Sequence, residues 1–121
     1  QTTGENLSGK EGYIVFQTSG TISLVDGASD DRGAFNGYGG VLSSVTSSAT
    51  GSNCEVLVGR VWAKSADPIT AGDRLTSATS DARMIKAADS ADNIIAFAIT
   101  GCAAAGDWVL VDWVGNTTAI A

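Results

Sequence analysis

The chain has no histidine. That absence removes every Ser-His-Asp and Cys-His nucleophile arrangement and the commonest zinc ligand. Cysteine occurs twice, at Cys54 and Cys102, and in no CxxC spacing, so the thiols alone cannot build a structural zinc site. They either pair or sit apart as small buried hydrophobes, and the second is the expectation. Neither a GxxxxGK[ST] loop nor a GxGxxG fingerprint is present. Gly37-Tyr38-Gly39-Gly40 is glycine-rich, but no lysine and no helix follow it, so it reads as a turn. No apolar run approaches the ~20 residues that span a bilayer, and no membrane partner is expected. The polar first twelve residues argue against a leader peptide, short of one already cleaved.

Positive charge is also scarce. Seven Lys and Arg face thirteen Asp and Glu, giving a net charge of −6. A phosphate backbone would be repelled, and no basic stripe interleaved with aromatics argues otherwise, so nucleic acid is not an expected partner. The acidity serves solubility, or docking onto a basic surface. No cofactor or metal is expected.

What is present is apolar and turn-rich. Hydrophobic residues make up 44% of the 121, which is too many for a disordered chain. Fifteen glycines, many Ser, Thr and Ala, and one proline suggest short strands joined by tight turns. The length suits one domain. Strand signals fall at 13–16, 21–25, 41–45, 55–62, 74–76, 94–99 and 108–114. Thr18-Ser19-Gly20 suits a hairpin turn, and Pro68 with Ala71-Gly72-Asp73 a reversal. Residues 82–87 suit helix or strand by type, but their six-residue length between turns favours a strand. Within 55–62 a single long strand is expected, with Gly59 marking a bulge or close backbone approach. In 108–114, Val109, Val111 and Trp113 face one way, and Trp108, Leu110, Asp112 and Val114 the other. Each half also holds an apolar strand, a small-residue loop and a Val-Leu-Val strand. That is a duplicated unit, or simply two similar hairpins. The fold class expected is all-β: a small barrel or sandwich of short antiparallel strands with an extended N-terminal arm.

Residues 1–12 carry only Leu7 as a sizeable apolar group and show no periodicity. They read as an arm that pairs with a neighbouring subunit, or as a frayed tail, ahead of a single β domain over 13–121. Deleting them is expected to leave the fold intact and to weaken attachment. Of the three tryptophans, Trp62 and Trp113 are expected in the core. Trp108, opening its strand beside a loop, is the candidate for an interface, where tryptophan is enriched. Leu7 and Lys10 on the arm, with Trp108, form the candidate assembly interface.

Carboxylates are the remaining chemistry. Asp26, Asp30 and Asp31 share a loop, but lack the D-x-[DN]-x-[DN]-G spacing of a calcium loop and read as solvated. Asp107 is expected in a turn. Asp112, flanked by apolar residues, is expected to face solvent or meet Arg60 or Arg83. Nothing marks an acid/base pair, so no enzyme is expected.

The second half resembles a known family. The segments that carry the likeness are Val58-Gly59-Arg60-Val61-Trp62-Ala63-Lys64, Pro68-Ile69-Thr70-Ala71-Gly72-Asp73-Arg74-Leu75-Thr76, Ala82-Arg83-Met84-Ile85-Lys86-Ala87, Ile94-Ile95-Ala96-Phe97-Ala98 and Ala104-Ala105-Gly106-Asp107-Trp108-Val109-Leu110-Val111. In order and spacing they look like the small decoration, or cement, proteins of tailed phage heads. The likeness covers roughly residues 55–114. Phe97 stands where the pattern has a small residue, and the 26–40 loop is long. The resemblance implies a barrel-like domain, often trimeric, that binds the major capsid protein outside the shell and stabilises it by bridging capsomers. The competing reading is a glycan- or ligand-binding β-module, with Trp62 or Trp108 and the 26–40 loop as its site.

Overall fold

Stiff β-branched and aromatic runs form strands throughout the chain. The computed structural model describes residues 1–25, 39–78, 81–87 and 93–114, and the acidic loop expectation at Asp26, Asp30 and Asp31 lies outside them. Nine strands follow in chain order: β1 Ile14–Thr18, β2 Thr21–Leu24, β3 Gly39–Val45, β4 Cys54–Leu57, β5 Arg60–Lys64, β6 Arg74–Ala78, β7 Asp81–Lys86, β8 Ala96–Ala98 and β9 Trp108–Trp113. No helix occurs among the described residues. The hairpin turn between β1 and β2 is Ser19-Gly20, with φ of 52° and 81°. A two-residue hairpin with both central φ positive matches the right-handed twist of its strands.

The strands form two antiparallel sheets, ordered β2-β1-β3-β4 and β5-β9-β8-β6-β7. The architecture is therefore a sandwich and no barrel closes. The larger sheet curls until its two margins meet once, through a parallel bridge between Ser65 and Met84. The ambiguous stretch at 82–87 is strand β7, paired with β6 from Leu75–Lys86 to Ala78–Asp81. The apolar run at 94–99 keeps ladder pairing only over Ala96–Ala98.

One expectation fails in an informative way. The single strand expected over 55–62 is two strands in two different sheets, β4 and β5. Gly59 has φ of 82°, a left-handed conformation that other residues adopt only at a penalty of roughly 1–2 kcal/mol. The chain turns there and crosses from one sheet to the other.

Two apolar clusters result. The larger gathers Ile14, Val25, Val41, Val61, Leu75, Met84, Ile95, Val109 and Val111 between the sheets. The second gathers Leu7, Val15, Ile22, Leu24, Leu42 and Ala82. Neighbouring strand residues point to opposite faces. Ile14 and Val41 accordingly join the first cluster while Val15 and Leu42 join the second, so the smaller sheet is apolar on both faces.

Leu7 belongs to this second cluster, and its side chain is fully buried. Residues 1–12 lack regular strand structure as expected, but they lie against their own chain. Thr2 bridges Asn53, Thr3 bridges Ile22, and the Lys64 amide donates to the Gly12 carbonyl at 2.8 Å. The segment is part of the fold because it covers a sheet face that would otherwise expose Val15 and Leu42 to water.

Candidate functional site

β5 and β9 pair along their whole length, from Arg60–Asp112 to Lys64–Trp108. Val61, Ala63, Val109 and Val111 are buried. Strand alternation therefore turns Arg60, Trp62, Lys64, Trp108, Leu110 and Asp112 outward. Trp62 is 55% exposed and Trp108 45%. Trp62 opposes Leu110 and Trp108 opposes Lys64, so the two indoles are diagonal neighbours on one face. Leu57 and Val58, at the crossover into β5, are exposed beside them.

The expectation that Trp62 lies in the core is overturned. The crossover at Gly59 fixes the phase of β5 so that the small Val61 and Ala63 go inward. Trp113 does pack against the larger cluster, half-buried, as expected. Trp108 is exposed as expected for an interface residue. The Lys64 ammonium lies 4.7 Å from its ring centroid and also bonds the Gly106 carbonyl at 3.2 Å. Gly12 lies under the same ring. A Cβ placed there would fall 2.6 Å from Trp108 Cζ3, and Gly12 has φ of 88°, so glycine is required on two counts.

The structure does not bring the three expected interface residues into one surface. Leu7 is withdrawn into the core. Lys10 places its ammonium 4.9 Å from the Tyr13 ring centroid, and Arg83 lies 5.9 Å from the same centroid. Lys10 thus lies against the residue just ahead of β1. Trp108 remains partly exposed between Lys64 and Gly12, and Trp62 is exposed beside it. Sequence alternation could have found Trp62 once β5 was recognised as beginning after Gly59.

A groove of about 280 Å³ runs beside the tryptophans. It is lined by β3 residues 41–43, by Leu57 of β4, by β5 residues 60–62 and by Trp108. Arg60 Nε lies 3.6 Å from Asp112 Oδ1, with both groups largely in solvent, so this pair is worth little. It does supply the expected basic neighbour for Asp112. Phe97, opposite Asp112 and Arg74, extends the outward face and is 41% exposed. Its apolar ring occupies a site where the resemblance has a small residue.

Two further carboxylates make structural bonds. Asp107 accepts from the Ala104 amide at 3.1 Å and closes a turn. Arg83 binds Asp81 through two nitrogens, at 2.7 and 3.0 Å, and this bond raises the guanidinium pKa above its ordinary value against opposing desolvation. Cys54 and Cys102 are free and half-buried, one on each cluster. Burial pushes the Cys54 thiol up, only partly offset by the N-terminal ammonium. Among the described residues, no three His, Cys, Asp or Glu side chains converge on a metal position.

No family model and no curated protein matches the chain. Among solved structures, it is similar to the N base of head fiber gp8.5 of bacteriophage phi29, a crystal structure. The TM-score is 0.63, covering 96% of this chain and 92% of that one at 14% identity. The two chains share a fold over nearly their whole lengths. The structural neighbour of this sandwich is thus a component of a phage head fiber.

Proposed function

We propose that this chain is a structural virion protein that attaches to the outside of a phage head through its outward tryptophan face. The observation that carries the reading is the fold shared with the phi29 head fiber base. The resemblance of residues 55–114 to phage decoration proteins supports it independently of the fold. On this reading the partner is the major capsid protein, the chain acts as a homo-oligomer, a trimer by the resemblance, and it works by binding without catalysis. It bridges capsomers and stabilises the assembled shell by mass action, since it binds only that state. Many copies on a symmetric lattice add avidity.

The test is co-sedimentation with purified phage heads over a range of salt. The unaltered chain is expected in the pellet and the Trp62→Arg variant in the supernatant. Wild-type protein that stays in the supernatant at every salt concentration rejects the proposal. A second reading, a glycan-binding module, is favoured by one observation, the exposed indole of Trp62. A glycan array with no ligand retires it.

A further inference from the structure

We infer that the groove beside Trp62 is a strand-acceptor site: it takes an extended, acid-flanked segment of a partner protein as an added strand on β5. The inference rests on reading this face as the attachment surface, and it specifies the partner's chemistry there.

The backbone of β5 carries the argument. Antiparallel pairs alternate between residues that exchange both hydrogen bonds and residues that exchange neither. The Trp113 amide donates to the Gly59 carbonyl at 2.7 Å, which fixes Gly59 as a residue directed at β9. The register then directs Val61 and Ala63 at β9 too, and Arg60, Trp62 and Lys64 away from it. The Lys64 amide confirms the phase by donating away from β9, to Gly12. The amides and carbonyls of Arg60 and Trp62 therefore line an open edge on the groove side, and no bond from a described residue reaches them. The Gly12 carbonyl ends this edge at Lys64. The opening fits a short stretch of extended chain.

Most exposed edges are blunted against strand addition. This one is continuous with a groove lined by β3 residues 41–43, where Leu57 and Trp62 supply exposed apolar side chains. Backbone bonds supply affinity in strand addition, and alternate side chains filling pockets supply specificity. Charge selects the occupant. Arg60 stands at one end of the opening with 66% of its side chain exposed, and Lys64 at the other, its ammonium drawn over Trp108 and bonded to the Gly106 carbonyl. Asp112 offsets Arg60 only through an exposed 3.6 Å contact that solvent screens, so the two cations leave this face net positive on a chain whose overall charge is −6. A segment with an apolar centre and a carboxylate at each end meets all three features.

The test uses the full chain, isotope-labelled, and a capped seven-residue peptide of alternating valine and threonine with glutamate at both ends. Nuclear magnetic resonance should show saturable shifts in the Trp62 and Arg60 amides. Hydrogen exchange at the Trp62 amide should slow when peptide binds. A peptide with lysine at both ends should bind roughly tenfold more weakly, and Arg60→Glu should narrow or reverse that preference. N-methylation along the peptide's bonding edge should abolish binding while leaving its side chains unchanged. Absence of binding at millimolar peptide overturns the inference, as does equal binding of both peptides. So does a Trp62 amide already protected before peptide is added, which would place a second copy there. Shifts with chitotetraose but not with peptide also overturn it, in favour of a glycan. Peptide binding without head co-sedimentation rejects the capsid proposal alone, and head binding with no peptide effect rejects the strand acceptor alone.

Discussion

Replacing Leu7 with alanine is the sharpest test of how residues 1–12 are used. The side chain is fully buried among Val15, Ile22, Leu24, Leu42 and Ala82. Truncation removes three carbons, a transfer loss of roughly 2 kcal/mol at about 0.8 kcal/mol per methylene. The cavity adds to it, and Leu→Ala changes in cores total about 2–5 kcal/mol. Leu7 lies on an irregular segment that can partly collapse, which places the expected loss near the lower middle, about 3 kcal/mol. Against a domain stability of about 5–15 kcal/mol this is a large fraction. In urea, with a slope of about 2 kcal/mol per molar, the midpoint should fall by about 1.5 M with the slope unchanged. A loss below about 1 kcal/mol would show that the arm is not part of the core. The same reasoning reverses the expectation that residues 1–12 can be deleted without harm. Their loss would uncover the second cluster and free the partners of Thr3, Gly4 and Gly12, so the truncated chain is expected to be poorly folded by circular dichroism.

Other outcomes follow from single contacts. Gly12→Ala should destabilise by more than about 1 kcal/mol, because a left-handed residue gains a Cβ that also collides with Trp108. Trp fluorescence should shift in the folded variant. Trp62→Ala should leave the urea midpoint within about 0.5 kcal/mol of wild type, as for a surface site. Trp113→Ala, half-buried on the larger cluster, should lose up to about 3 kcal/mol. Equal effects of the two would contradict the assigned strand phase. The Cys54 thiol is pushed above its usual range by burial, so its thiolate fraction at pH 8 is lower than that of a free cysteine. Its modification by a disulfide reagent, followed by peptide mapping, should be slower than that of an unstructured peptide thiol. The rate should still be climbing at pH values where the peptide has levelled off.

Much of the fold was legible in the chain because its signals are local. The turn at Ser19-Gly20 and the inward pair Val109 and Val111 depend only on backbone preference and two-residue alternation. What was misread had one cause in each case. Leu7 looked isolated because its partners, Val15, Ile22 and Leu42, come from strands distant in sequence or separated by a turn. Trp62 looked like core because residues 55–62 read as one apolar run. A single glycine at 59 instead resets the alternation, and the sequence marks that place without saying which way the chain turns. The candidate site suffered most. The exposure of Trp108 was legible from its position at a strand start. Leu7, the arm's one sizeable apolar group, and Lys10 were selected because the arm showed no periodicity, which does not reveal what the arm lies against.

The sequence by itself determined that this is an all-β chain without histidine chemistry, because composition and alternation act residue by residue. Only the tertiary structure decided that β4 and β5 belong to different sheets, that the arm completes a core, and that Trp62 faces solvent on the end strand of its sheet. Those facts depend on which strands pair across long stretches of chain, and pairing is set by the joint burial of residues that no local pattern connects.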